Sequence, residues 1–154
     1  MIRVLLLAAL LALPATAWAP PPWPLLLSDV VAAADGRGVP RVAAYTLWLR
    51  ECSGRTVCVA GDGGTSFGPY QIKAVAAERH CAGIARWWEG AGNAECAMRI
   101  LRYGLDRCGL LRSAFTHYQH PERLRLWGCK WHIRYAWETY ELMLRLTLEA
   151  TRPS

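Results

Sequence analysis

Six cysteines, Cys52, Cys58, Cys81, Cys96, Cys108 and Cys129, lie downstream of a leader that reads "MIRVLLLAALLALPATAWAPPPWP", and together these features constrain the chain more than any other. The leader has a basic start at Arg3, an apolar run from Val4 to Leu13, a break at Pro14 and then small residues, the pattern of a secretory signal peptide. The apolar run is about half the roughly 20 residues that a spanning helix needs, so no integral membrane segment is expected once the signal is removed. Small-x-small cleavage fits after Ala17 or after Ala19. The second would leave Pro20 directly after the cut, so the first is expected, with residues 1–17 as signal. An even number of cysteines in an exported chain points to three disulfides and to a secreted or periplasmic location. Sequence does not choose among the 15 pairings, although Cys52 and Cys58 are close enough to staple one loop. Zinc is the competing use, but the paired C-x-x-C spacing of a zinc site is absent.

The 154 residues suffice for one domain. Residues 18–27 are Pro-rich and read as an extended leader, leaving 28–154 as the domain. Breakers cluster at 35–40, 53–69, 90–93 and 120–122, and the segments between them lean helical. "VPRVAAYTLWLRE" places Pro40 where a first helical turn tolerates it and repeats apolar residues at Val42, Tyr45 and Leu49. A second helix is expected from Pro69, and a third with Asn93 as cap and Gly109 as stop. "LLRSAFTHYQHP" gives a short fourth, and a long last helix starts at Trp131. No segment alternates strictly, though "GDGG" supplies turn residues for a small hairpin within 54–68. The expected class is mostly α, one disulfide-stapled domain and a monomer.

The net charge is +6, falling to +5 when Arg3 leaves with the signal. The basic residues are scattered among apolar ones as on solvated helix faces. They form no patch with interleaved aromatics, so nucleic acid is not the expected partner. An anionic polymer remains compatible with the charge.

Chemistry concentrates in "RECSGRTVCVAGDGGTSFGPYQIK", residues 50–73. Glu51 falls in the last turn of an apolar helix, where the partial negative charge of the helix end and partial burial both raise a carboxyl pKa, as a general acid requires. A solvated terminal Glu is the plainer alternative. Asp62 follows in a Gly-rich loop, and either serves as a second carboxylate or simply makes the Gly-Asp-Gly-Gly turn. Ser66, Tyr70 and Gln71 carry hydroxyl and amide groups of the kind that bind sugars. His117 and His120 share a helix face, but no carboxylate sits at ligand spacing and Pro121 ends the segment, so neither metal nor cofactor is expected. Trp127, Trp131, Tyr135, Trp137 and Tyr140 recur at helical spacing and read as core, with room for one or two of them to reach the cleft. Trp87-Trp88 is either a sugar-stacking edge or ordinary packing.

A Glu ending a helix, then a loop, then Ser-x-Gly-x-x-Gln-Ile resembles the lysozyme-like superfamily. The soluble lytic transglycosylases, with their Glu-Ser and Gly-Leu-Met-Gln-Ile blocks, are matched by Glu51-Cys52-Ser53 and Gly68-Pro69-Tyr70-Gln71-Ile72. Goose-type lysozymes share that architecture. "GDGGTSFGPYQIK" also resembles the invertebrate-type lysozymes, with an Asp after the Glu and then Ser-Cys-Gly-Pro-x-Gln-Ile. The resemblance covers roughly residues 40–75. Cys52 stands where the transglycosylases have Ser, and Phe67 where the invertebrate type has Cys. Of the family's Ala-x-x-Tyr-Asn-x-Gly block, Ala114 to His120 matches the Tyr, at Tyr118. The resemblance implies a lysozyme-like domain that cleaves between N-acetylmuramic acid and N-acetylglucosamine in peptidoglycan. It implies Glu51 as catalytic acid and base, Gln71 and Ser66 on the sugar cleft, and Tyr118 near Glu51. A lytic transglycosylase needs no second acid, whereas a hydrolytic lysozyme would pair Glu51 with Asp62. A non-catalytic wall-binding or inhibitory module is the alternative outside the enzymes.

Overall fold

Helix-favouring apolar segments, punctuated by Gly, Pro and Ser, account for most of the architecture in a computed structural model that describes residues 24–121, 128–129 and 133–152. The described elements run α1 (Leu27–Arg37), α2 (Arg41–Cys52), β1 (Ser66–Phe67), β2 (Ile72–Lys73), α3 (Ala74–His80), α4 (Gly90–Cys108), α5 (Leu111–Gln119) and α6 (Arg134–Ala150). The expected signal segment, most of the Pro-rich leader, Trp127, Trp131 and His132 lie outside the described residues. Among the described residues no helix is long and apolar enough to cross a membrane.

The longest described helix, α4, packs against α1 and α5, and α6 packs on α5 and α2. Small residues bring these helices together. Ala43, Ala44, Ala94, Ala97, Ala114 and Ala136 are fully buried. A Cβ on Gly104 would fall 2.7 Å from the Ala114 Cα, so α4 and α5 cross at backbone contact. Larger side chains fill what remains: Leu47, Met98, Leu101 and Phe115 are wholly buried, each contributing roughly 1.5–3 kcal/mol of apolar transfer.

α2 begins after Pro40, as the first-turn reading requires, and ends at Ser53, whose left-handed backbone (φ 53°) lets its N–H return to the Leu49 carbonyl. α4 ends at Gly109 as expected but starts earlier, with Glu89 at its N-cap. Asn93 is therefore no cap: it is buried in the first turn and reaches across to the β-hairpin. The helix expected from Pro69 also starts late. Gly68 and Gln71 hold positive φ (70° and 47°), which an α-helix excludes, and residues 72–73 pair as strand before α3 begins. The sheet is antiparallel, with Ser66 opposite Lys73 and Phe67 opposite Ile72. "GDGG" does make a turn, closed by a Gly61–Ser66 bridge, and β1 falls within the expected 54–68 window, whereas its partner β2 lies beyond it. One residue of the Pro-rich leader packs on the fold. Leu25 is fully buried, and its N–H donates to the Thr56 carbonyl at 2.8 Å.

Three disulfides form, Cys52–Cys58, Cys81–Cys96 and Cys108–Cys129. The first fixes the chain immediately after α2. The second ties the end of α3 to α4, and the third ties the end of α4 to the approach to α6. Each restricts the unfolded chain, which is one accepted source of disulfide stabilisation.

Candidate active site

The C-terminus of α2, the Gly61–Ser66 turn, the β-hairpin, α5 and the start of α6 converge on one cleft of about 180 Å³. It is lined by Glu51, Asp62, Ser66, Gln71, Lys73, Tyr118 and Tyr135 among others, with Ile72, Ala76 and Ile100 as apolar wall. Five of the six residues singled out from sequence thus share one groove: Glu51, Asp62, Ser66, Gln71 and Tyr118. Tyr70 is the exception. It is 0% exposed, and its hydroxyl donates to the Ala44 carbonyl at 3.1 Å. The positive φ of Gly68 and Gln71 turns this ring into the core, so Tyr70 anchors the hairpin and is not exposed to a sugar.

Glu51 comes from the last turn of α2 and is held from α6. The Tyr135 hydroxyl donates to Glu51 Oε1. Beside that contact Arg50 pairs with Glu138 and its guanidinium lies 5.3 Å from the Tyr135 ring centroid. Arg134 also binds Glu138, at 2.6 Å. Burial pushes the Glu51 carboxyl up to about 7; the Tyr135 hydrogen bond and then the Arg50 charge pull it down, the Asp62 charge pushes it further up, and Lys73 opposes. Burial is the leading cause of the rise. A carboxyl at that value supplies both the proton and, after transfer, the base at neutral pH. Burial and the nearby Glu51 charge in turn hold the hydroxyls of Tyr118 and Tyr135 well above the usual phenol range, so both remain proton donors. Tyr118 donates to the Tyr70 carbonyl at 2.6 Å, which ties α5 to the hairpin.

Asp62 lines the same cleft with its side chain 59% exposed. Ser66 Oγ donates to Asp62 Oδ2 at 2.9 Å, and Lys73 Nζ lies 3.7 Å from the same oxygen. The cross-strand partners Ser66 and Lys73 thus meet on one carboxylate. Gln71 uses both N–H donors on the loop, to Gly68 O at 2.9 Å and Val59 O at 3.1 Å. It braces the cleft wall. Asp62 and Gln71 are two of the four non-glycine residues with positive φ among the described residues. Such strain persists only where the surroundings over-determine it, and it clusters at functional sites.

Lys73 and Gln119 line the cleft without any signal in the sequence, and among the described residues Tyr135 is the one aromatic of its helical stripe that reaches it. Trp137 is 44% exposed, and Arg112 stacks on it at 4.1 Å. Tyr135 meets Glu51 across 84 residues of chain, so no local pattern announces the pair. His117 is buried, with its ring 5.3 Å from His80 and 5.0 Å from Tyr103, while His120 caps the C-terminus of α5.

The Tyr135→Phe variant keeps the ring and removes the hydrogen bond that stabilises the Glu51 carboxylate. The Glu51 carboxyl is then expected to rise above its present value of about 7, carrying the alkaline limb of any Glu51-dependent activity to higher pH. A pH–rate profile checks this. An unmoved limb would remove Tyr135 from the control of Glu51.

No protein-family model matches the chain, and no curated protein or solved structure matches it either.

Proposed function

We propose that the chain is an exported enzyme that cleaves peptidoglycan glycan strands between N-acetylmuramic acid and N-acetylglucosamine, with Glu51 as its acid and base. The observation that carries this reading is a partly buried carboxyl raised to about 7 on the wall of an open, polar cleft. The resemblance of residues 50–73 to the lysozyme-like superfamily supports it. So does the gathering of Glu51, Ser66, Gln71 and Tyr118 around one groove. The moderately basic balance favours approach to an anionic wall.

In the single-acid course, that of a lytic transglycosylase, protonated Glu51 gives its proton to the glycosidic oxygen as the bond to the muramoyl anomeric carbon breaks. The Glu51 carboxylate, hydrogen-bonded by Tyr135, then takes the proton of the muramoyl 6-hydroxyl while that oxygen closes on the anomeric carbon. The products are a 1,6-anhydro end and a free 4-hydroxyl, and Glu51 is protonated again. A second course is favoured by one observation, that Asp62 lines the same cleft as Glu51. There Asp62 is the second carboxylate and water is the acceptor, as in paired-carboxylate glycosidases. In either course Lys73 and Ser66 fix where the Asp62 charge sits.

Mass analysis of fragments released from purified peptidoglycan tests both. Anhydro ends are expected from the single-acid course, with Asp62→Asn retaining activity within about tenfold. Reducing ends, together with a loss of 10²-fold or more in Asp62→Asn, would establish the hydrolytic course. Release of neither product would overturn the enzyme reading and leave a wall-binding module.

A further inference from the structure

We propose that Phe67, Trp87 and Trp88 form a second saccharide-binding shelf, which holds the glycan strand where it runs beyond the acid cleft; this rests on the glycan-cleaving reading above. The three rings enclose about 280 Å³ of open, almost wholly apolar space. Phe67 meets Trp87 edge-on at 5.7 Å, and Trp87 meets Trp88 edge-on at 5.8 Å, so the rings are fixed by one another. Trp88 nevertheless leaves 47% of its surface in water. A pyranose ring suits such a surface, because its C–H faces are apolar and its hydroxyl edge stays wet.

Position relates the shelf to the cleft. Ser66 and Phe67 are consecutive on β1; Ser66 turns into the cleft and Phe67 into the shelf, as alternation on a strand requires. The cleft and the shelf therefore lie on either side of β1, and the proposed glycan strand passes over the edge of β1 from one to the other. The length is needed: 180 Å³ falls below the roughly 300–1,000 Å³ of a pocket that holds a drug-sized ligand, and a polymer must continue over the surface. The shelf is also rigidly joined to the cleft. Asn93 is buried in α4, and its side-chain amide donates to the carbonyls of both Phe67 (3.2 Å) and Trp87 (2.9 Å). Arg86, at φ 53°, makes the turn that delivers the two indoles. A strained turn spent on displaying two tryptophans is the kind of local cost that marks a binding surface.

The test uses a Glu51→Gln chain, so that ligand is not consumed, titrated with β-1,4-linked N-acetylglucosamine hexamer and dimer. Adding Trp88→Ala is expected to weaken the hexamer about tenfold and leave the dimer unchanged; Trp88→Phe should restore most of the hexamer affinity. Unchanged hexamer affinity in Trp88→Ala would overturn the shelf, as would an equal loss for both oligomers, which indicates a structural role. Fragment release by the unmutated chain is scored separately. Activity with no effect of Trp88 on the hexamer would sink the shelf alone. Length-dependent binding without fragment release would sink the enzyme and support the shelf.

Discussion

Glu51→Gln is expected to lower glycan release by about 10²–10⁴-fold and, above neutral pH, to make the protein more stable. Both effects follow from one cause. Burial raises the Glu51 carboxyl from 4.5 to about 7, so the folded protein holds this proton more tightly than the unfolded chain does. The resulting stabilisation is complete below about pH 4.5. It is lost as pH rises through about 7, because the folded state must then carry a desolvated charge that the unfolded chain leaves in water. The span between the two values corresponds to about 3 kcal/mol. Gln has nearly the same shape, carries no charge at any pH and still offers an oxygen to the Tyr135 hydroxyl. Urea unfolding at pH 4 should therefore give similar midpoints for the two proteins, while at pH 8 the variant should be the more resistant by up to that amount. Equal midpoints at both values would mean that Glu51 is hydrated in solution. Retention of activity within tenfold would remove it as the general acid, whatever the stability showed.

The parts of this site that could be read from sequence are those that are local in the chain. Glu51 could be placed because α2 has an apolar period, a proline at its start and a Ser-Gly at its end, all between Pro40 and Gly54. The Asp62 turn and the position of Gln71 follow from adjacent glycines and a motif. The second strand of the hairpin reads as helix because "PYQIKAVAAERH" carries good helix formers, and the deciding contact is remote: Asn93, 23 residues on, accepts the Tyr70 N–H at 2.8 Å. A buried amide from another helix thus overrides local propensity. Tyr70 looked like a sugar ligand by chemistry, and only its direction, set by two positive-φ neighbours, sends it inward. Tyr135 was the reverse case, core-like by period and yet at the site, because helical spacing does not say what the facing helix presents. The cysteine pairs illustrate the same limit. Cys52–Cys58 could be guessed from proximity, whereas the other two depend on which helices meet.

Gly68→Ala is expected to be the most damaging small substitution in the hairpin, destabilising the fold by about 3 kcal/mol or more and lowering Tm by about 10 °C. Two costs add. At φ 70° an alanine is strained by about 1–2 kcal/mol. Its Cβ would also stand 2.5 Å from both Asn93 Nδ2 and the Trp88 carbonyl oxygen, groups that cannot both retreat. Asn93 is fully buried and bonded to Tyr70, Phe67 and Trp87, so moving it leaves buried amide groups unsatisfied, at about 1–3 kcal/mol each. Gly63 and Gly64 separate the two costs. They have φ of 67° and 89°, but a Cβ on either meets nothing within 4 Å. Gly63→Ala should therefore show only the backbone strain, about 1–2 kcal/mol, with the cleft intact. If Gly68→Ala unfolds no more easily than Gly63→Ala, then the Asn93 clamp is not what fixes the hairpin. If it unfolds far more easily, the same displacement should reach Ser66 and Gln71 on either side of Gly68. Residual glycan cleavage would then fall further than the unfolded fraction explains, because those two residues line the same cleft as Glu51.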